Sequence, residues 1–283
     1  MMNKLLSAEF TRLFKSRLFK VCMFLSGALG ALFIIVRWMD VRANVTAYAN
    51  LPREYSKADD MIFFGPMFVV FVMAIFTGLF VGTEYSDGTI RNKLIVGHKR
   101  SSIYISKLVV CIVANIIIHA ICIFVPWGLG SLLLGVDTGA GVLLAKVFML
   151  FVIVITMTAL LLLISMLIQS KSIGSVSCLS FMLIILLIAG YINSRLDAPE
   201  YYGGYSLVDE NGDFIEMEQE KNPSYLSGKK RDIYEFVYDV LPSGQMFTVS
   251  YGKPKNIMMV YDIIILIGAT TAGVIVFKKK NLK

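Results

Sequence analysis

The stretch MIFFGPMFVVFVMAIFTGLFVG runs from Met61 to Gly82 without a charged side chain. As a helix rising 1.5 Å per residue it reaches about 33 Å, enough to cross the hydrocarbon core of a bilayer. It lacks the apolar–polar alternation that a strand of a membrane barrel requires. Five further stretches of the same kind flank it, roughly Leu18–Val36, Leu108–Leu134, Val142–Ile168, Ile173–Ile192 and Ile257–Phe277. Hydrophobic residues make up 57% of the 283 and charged residues only 17%, an apolar excess beyond that of soluble domains. These observations predict an all-α polytopic membrane protein with six transmembrane helices.

Charge placement predicts orientation, because lysine and arginine accumulate on the cytosolic side. With six spans the termini share one side. That side holds fifteen of the 27 basic residues, in the N-terminal segment, the loop after the second span, Lys171 and the tail, but only Glu9, Glu84 and Asp87 among the acids. Both termini are therefore expected in the cytosol, in a plasma membrane. The net charge of +7 then reads as a topology signal, and no nucleic-acid partner is implied. No small-x-small cleavage site follows the first span, so it is expected to remain. All four cysteines fall within spans, which argues against a disulfide framework.

The organisation divides as follows. Residues 1–17 form a cytosolic amphipathic helix, with Leu5, Leu6, Phe10, Leu13 and Phe14 on one face and Lys4, Thr11, Arg12 and Lys15 on the other. Residues 18–192 hold spans one to five, with a cytosolic loop at 83–107. Residues 193–256 form an extracellular segment, and 257–283 the sixth span and a basic tail. Within the outer segment, Asn211-Gly212 signals a hairpin. Ile233, Phe236, Val237, Val240 and Leu241 mark an amphipathic helix ended by Pro242-Ser243-Gly244. A small extracellular α/β elaboration is thus expected between spans five and six.

Catalytic apparatus is not legible. A phosphate-cradling loop would need glycine where Pro223 precedes Gly228-Lys229. The two histidines and scattered cysteines have no metal-ligand spacing, so neither a catalytic nor a metal site is expected. Asn115 and His119 lie four apart on one helix face within the third span, where polar groups are costly. They could line a path or subunit interface, or make an internally satisfied packing contact. Lys146 and Asp262 sit near span ends and are expected to reach outward to the interface.

The remaining polar feature is EYSDGTIRNKLIVGHKR, Glu84–Arg100. Asp87 or Thr89 is positioned to cap a short helix, Gly97 to end it, and Ser101 or Ser102 to cap the next. Ile90 and Leu94 form an apolar stripe beside Arg91 and Lys93, as expected of a helix that docks in a partner's cleft.

This stretch resembles the loop after the second span in permease subunits of ABC-2 type transporters, where E-x-x-x-G-T-[IL]-[RK] leads into a short coupling helix. The six-span layout and LPSGQ before the last span agree. The resemblance implies an ABC-2 (type V exporter-like) permease fold and a function as the membrane subunit of an ATP-driven exporter. It implies a separate ABC ATPase subunit, a second permease chain as homodimer or heterodimer, and the lipid bilayer as partners. ATP and Mg would be acted on by the ATPase, with no cofactor bound by this chain. Glu84, Gly88, Thr89, Ile90 and Arg91 match the motif and would contact the ATPase, and Lys93, Leu94 and Gly97 follow on spacing. Relatives of this layout imply an amphipathic substrate such as a bacitracin- or lantibiotic-like peptide antibiotic. The alternatives are a non-transporting adaptor or sensor subunit coupled to an ATPase, and a stand-alone secondary carrier. The carrier is disfavoured by the absence of embedded acid–base pairs and inverted repeats.

Overall fold

A computed structural model describes residues 2–50, 56–202, 206–208, 214–216, 220–252 and 254–280. Helix α1 (Met2–Lys15) leads through Ser16 into α2 (Arg17–Ala43), whose first turn the Ser16 hydroxyl caps by accepting from the Phe19 amide at 3.4 Å. The short α3 (Val45–Ala49) follows, then α4 (Asp59–Ser86), α5 (Thr89–Ile95), α6 (Arg100–Leu133), α7 (Ala140–Leu167) and α8 (Lys171–Leu196). Further along come α9 (Gly228–Val240), α10 (Pro242–Tyr251) and the last span, α11 (Asn256–Lys279). The six helices long and apolar enough to cross a membrane are α2, α4, α6, α7, α8 and α11. They contain the six predicted spans almost entirely and extend several of them at the charged ends.

The spans differ in what surrounds them. About 72% of the most apolar window of α4 is buried, against 22% for α11. Helices α4, α6 and α7 form the interior, and α2, α8 and α11 turn much of their apolar surface outward. Leu183, Ile184 and Leu187 of α8, and Ile263, Ile264 and Ile267 of α11, are exposed, as lipid-facing positions require. Because lipid tails solvate apolar faces as well as protein does, close packing must hold such helices together. The stretch GLFVG, Gly78–Gly82 of α4, supplies it. A Cβ built on Gly78 would lie 2.6 Å from Ser175 Cα, and one on Gly82 2.7 Å from Lys171 Cα, so the backbones of α4 and α8 meet along a glycine stripe.

The amphipathic helix marked by Ile233–Leu241 ends just before Pro242-Ser243-Gly244 as expected, since α9 stops at Val240. The unexpected element is the next one: Pro242 also opens α10 at its first position, where the missing N–H and fixed φ suit a helix start. Helix α10 is buried between α4, α7 and α8, with Ser243 Oγ donating to Ile185 O (2.8 Å) and Ser250 Oγ to Phe63 O (2.8 Å). In α9, Ile233 and Phe236 are largely exposed, although Phe236 meets Tyr261 of α11 edge-on with ring centres 5.8 Å apart, so its apolar stripe is only partly covered. Residues 206–208 and 214–216 pair as short antiparallel strands β1 and β2, Leu207 opposite Ile215. The Asn211-Gly212 turn lies outside the described residues. The four cysteines are free and buried.

Candidate functional site

Helix α4 ends at Ser86, and the chain reverses through Gly88 at φ +66° into α5. Only glycine takes this conformation without cost, and no side chain caps α5. The expected capping by Asp87 or Thr89 is therefore replaced by a glycine turn, and the Thr89 hydroxyl instead donates back to Glu84 O at 3.1 Å. Gly97, at φ +91°, closes the helix: its amide bonds Leu94 O (2.9 Å), and the His98 amide bonds Lys93 O (3.0 Å). That paired arrangement satisfies carbonyls left open at a helix end. Helix α6 then begins at Arg100 behind Lys99, earlier than Ser101 or Ser102 would allow as caps.

The Ile90/Leu94 stripe turns inward. Ile90 is 1% exposed and belongs to the core, with Leu94 packed against it. A seven-residue helix tethered at both ends must bury its apolar side on its own bundle to be held in place, which explains the reversal. The surface facing away from the protein instead carries exposed Arg91 and Asn92 together with Ile95 (74% exposed) and Val96 (70%). Beside it a cavity of about 170 Å³ is lined by Tyr85, Ser86, Gly88, Arg91 and Gln169, with Glu84 and Ile90 at its base.

Behind α5 lies a buried ion cluster that sequence reasoning did not assemble. Glu9 of α1 and Glu84 of α4 are both buried, as is Lys107 of α6. Lys107 Nζ donates to both carboxylates. Lys93 of α5 donates to Glu9 and, at 2.8 and 2.9 Å, to the two oxygens of Glu84. Arg12 of α1 donates to Glu84 and to Phe80 O (2.7 Å), its guanidinium 4.3 Å from the Phe80 ring centre. Three cations thus share two carboxylates, and four helices meet at one point. Burial works against the Lys93 ammonium, but Glu84 and Glu9 outweigh it and hold its pKa above the ordinary lysine value.

A second tie closes the same end. Arg100 donates to Phe277 O (3.0 Å) and to Lys280 O, and Lys280 Nζ donates to Met166 O (3.3 Å) and Leu167 O. Tyr85 Oη donates to Met166 O at 2.9 Å. The last carbonyls of α7 are thereby satisfied, which helix ends need.

The structure places the predicted residues as follows. Glu84, Ile90 and Lys93 lie inside the site and Leu94 against its core, whereas Arg91 and Gly97 are exposed. Gly88 and Gly97 shape its turns, and Thr89 is half-buried. Asn115 is remote from it. Its Nδ2 donates to Thr77 Oγ1 (3.1 Å) and Thr158 Oγ1 (3.0 Å), knotting α4, α6 and α7. His119 is buried, and with Asn115 Nδ2 given to the two threonines and its Oδ1 without a partner among the described residues, the two side chains do not bond to each other. Lys146 is half-buried with Nζ 5.0 Å from the Phe63 ring centre. Asp262, expected at the interface, is instead fully buried against α7, because its helix position turns inward toward Thr156. No group of three or more potential metal-ligating residues occurs among the described residues.

A bundle of six helices long and apolar enough to cross a membrane, with a short helix mounted on ion pairs at its basic end, defines a polytopic membrane protein. Residues 5–194 match the family described as ABC-2 family transporter protein, about two-thirds of the chain, and the protein belongs to that family. No curated protein matches it. Membership makes it a permease subunit in the bacterial cell membrane. Its ABC ATPase is a separate partner subunit, and this chain is not itself catalytic.

Proposed function

We propose that this permease forms an ATP-driven exporter with a second permease chain and two ATPase subunits, and that the outward face of α5 is the surface on which an ATPase docks. One observation carries the reading: Arg91, Asn92, Ile95 and Val96 project from a short helix whose other side is fixed by Ile90 and by Lys93 in the ion cluster. A helix exposed on one face and tied on the other to α1, α4 and α6 passes a push from outside to several spans as a rigid unit.

In this reading Glu84, Gly88, Thr89, Ile90, Lys93, Leu94 and Gly97 shape and hold the docking element, and Arg91 makes the contact. ATP and Mg act in the partner, the termini lie in the cytosol, and residues 193–256 form the extracellular elaboration. The substrate class is an amphipathic compound, a peptide antibiotic foremost. The charge asymmetry supports the orientation. Exposed Tyr201 and Tyr202 offer the outer segment aromatic surface for such a substrate.

The test is affinity purification of the native complex in mild detergent, followed by the same with Ile95→Asp/Val96→Asp. The wild type should retain an ATPase with a Walker motif. The double variant should insert normally but lose the ATPase and transport. Full ATPase retention and transport by the variant would sink the docking reading, and ATPase retention without any transported substrate would favour an adaptor subunit.

A further inference from the structure

Beside Arg12 a cleft of about 430 Å³ opens between the end of α1, the start of α2 and the last turns of α4, with no residue of α5 in its lining. It is lined by Arg12, Lys15, Ser16, Leu18, Phe80 and Thr83. The docking reading makes no use of it.

Its chemistry has two halves. The polar wall is cationic: Lys15 is exposed, Arg12 is half-buried, and no acid lines the cleft. Arg12's ion pairs do not cancel this field, because the cluster it joins holds three cations against two carboxylates. Arg17 and Lys20 are exposed one turn further on. The Ser16 oxygen accepts from the Phe19 amide, which leaves its proton free to donate to an anion. The other half is apolar: Leu18 lines it, Phe80 lies buried beneath the Arg12 guanidinium, and Val21 and Phe24 of α2 are exposed beyond it.

Depth completes the description. Ser16 immediately precedes the span α2, and Thr83 lies one turn before the end of the span α4. The cleft therefore sits where hydrocarbon gives way to headgroups. Basic pockets between spans at that level select anionic lipid headgroups.

We propose that this cleft binds the phosphate headgroup of an anionic phospholipid, held by Arg12, Lys15 and Ser16, with its acyl chain against Leu18 and the exposed Val21 one turn beyond it. The lipid would seat the α1–α2 corner, and through Arg12 the ion cluster, at the membrane surface. The site stands whether or not α5 docks an ATPase.

The test is native mass spectrometry of the full chain released from mixed micelles holding equal phosphatidylglycerol and phosphatidylcholine. The wild type should keep one phosphatidylglycerol per chain in preference to phosphatidylcholine. Lys15→Gln should weaken that retention about fivefold and Lys15→Glu about thirtyfold, as expected from one and two lost charge contacts near a membrane surface. Lys4→Gln, exposed on α1 but outside the cleft, should retain the lipid. Gel filtration checks that each variant is monodisperse, and Lys15→Gln decides the matter if Lys15→Glu aggregates. Equal retention of the two lipids, undiminished retention in the Lys15 variants, or an equal loss in Lys4→Gln would overturn the proposal. Displacement of the lipid by millimolar glycerol phosphate would reassign the cleft to a soluble phosphate compound and overturn the lipid assignment.

Discussion

Lys107 of α6 donates to Glu9 of α1 across 98 residues of sequence, and both side chains are buried. The first helix is thus pinned to the third span by charge, and Glu84 and Lys93 bring α4 and α5 to the same point. The balance of charge decides which substitution hurts most. Glu84→Gln leaves three cations around one carboxylate and should cost about 3–5 kcal/mol, the range for breaking a buried pair. Lys107→Met leaves two cations with two carboxylates and a side chain of similar length, so it should cost clearly less. Thermal unfolding in detergent compares the two; equal losses would refute the charge count.

Lys93 adds a pH dependence. Its folded pKa is raised above the ordinary 10.5. The stabilisation is therefore fully present below pH 10.5 and is lost as pH rises through the folded value. The melting temperature of the wild type should fall more steeply above pH 10.5 than that of Lys93→Met, which has no such proton to lose. Parallel curves would remove Lys93 from the stabilising network.

How much of this was legible follows from particular residues. Runs such as Met61–Gly82 declare the spans because a bilayer imposes length and apolarity directly. The α5 helix was legible from Gly88, Gly97 and the intervening TIRNKLI, but not its facing. Periodicity shows that Ile90 and Leu94 share a side, not whether the bundle or a partner covers it. The ion cluster was hidden for a similar reason. Glu9 falls in line with Leu5 and Leu13 at four-residue spacing, and all three are buried. A carboxylate inside an apolar stripe is a signal that a cation waits opposite, but its partners lie up to 98 residues away. Helix α10 was missed because Pro242 and Gly244 punctuate equally well a helix end and a helix start.

The two faces of α5 give a direct contrast in stability. Ile90→Ala empties a core position and should cost about 2–4 kcal/mol. Ile95→Ala removes a side chain that is 74% exposed and should change stability by less than about 0.5 kcal/mol. If Ile95→Ala proves as destabilising in the isolated chain as Ile90→Ala, the orientation of α5 is wrong.

The contact of α4 with α8 admits no added carbon at Gly78, where a Cβ would meet the Ser175 backbone. Gly78→Ala should therefore destabilise by about 1–3 kcal/mol through forced separation of the helices. Gly128→Ala in α6 meets nothing within 4 Å and should be neutral or stabilise by up to about 1 kcal/mol, since a helical glycine carries an entropic penalty. Melting curves that fail to separate the two alanines would contradict the glycine packing stripe.

Asp262 and Asn115 are both buried polar residues within spans, yet opposite outcomes are expected when their polarity is reduced. Asn115 has two hydrogen bonds to threonines on neighbouring helices. Asn115→Leu removes both and leaves Thr77 with one fewer partner, at a cost of about 1–2 kcal/mol. Asp262 is fully buried and makes no ion pair among the described residues; its polar neighbour is the uncharged Thr156 hydroxyl of α7. A buried carboxylate without a counter-charge is costly in its charged form, so Asp262→Asn should leave stability unchanged or raise it. If transport survives Asp262→Asn while the melting temperature holds or rises, the carboxylate is a tolerated burial. A marked loss of stability instead would show that the Asp262 carboxylate is stabilising where it lies, and would refute the cost assigned to its burial.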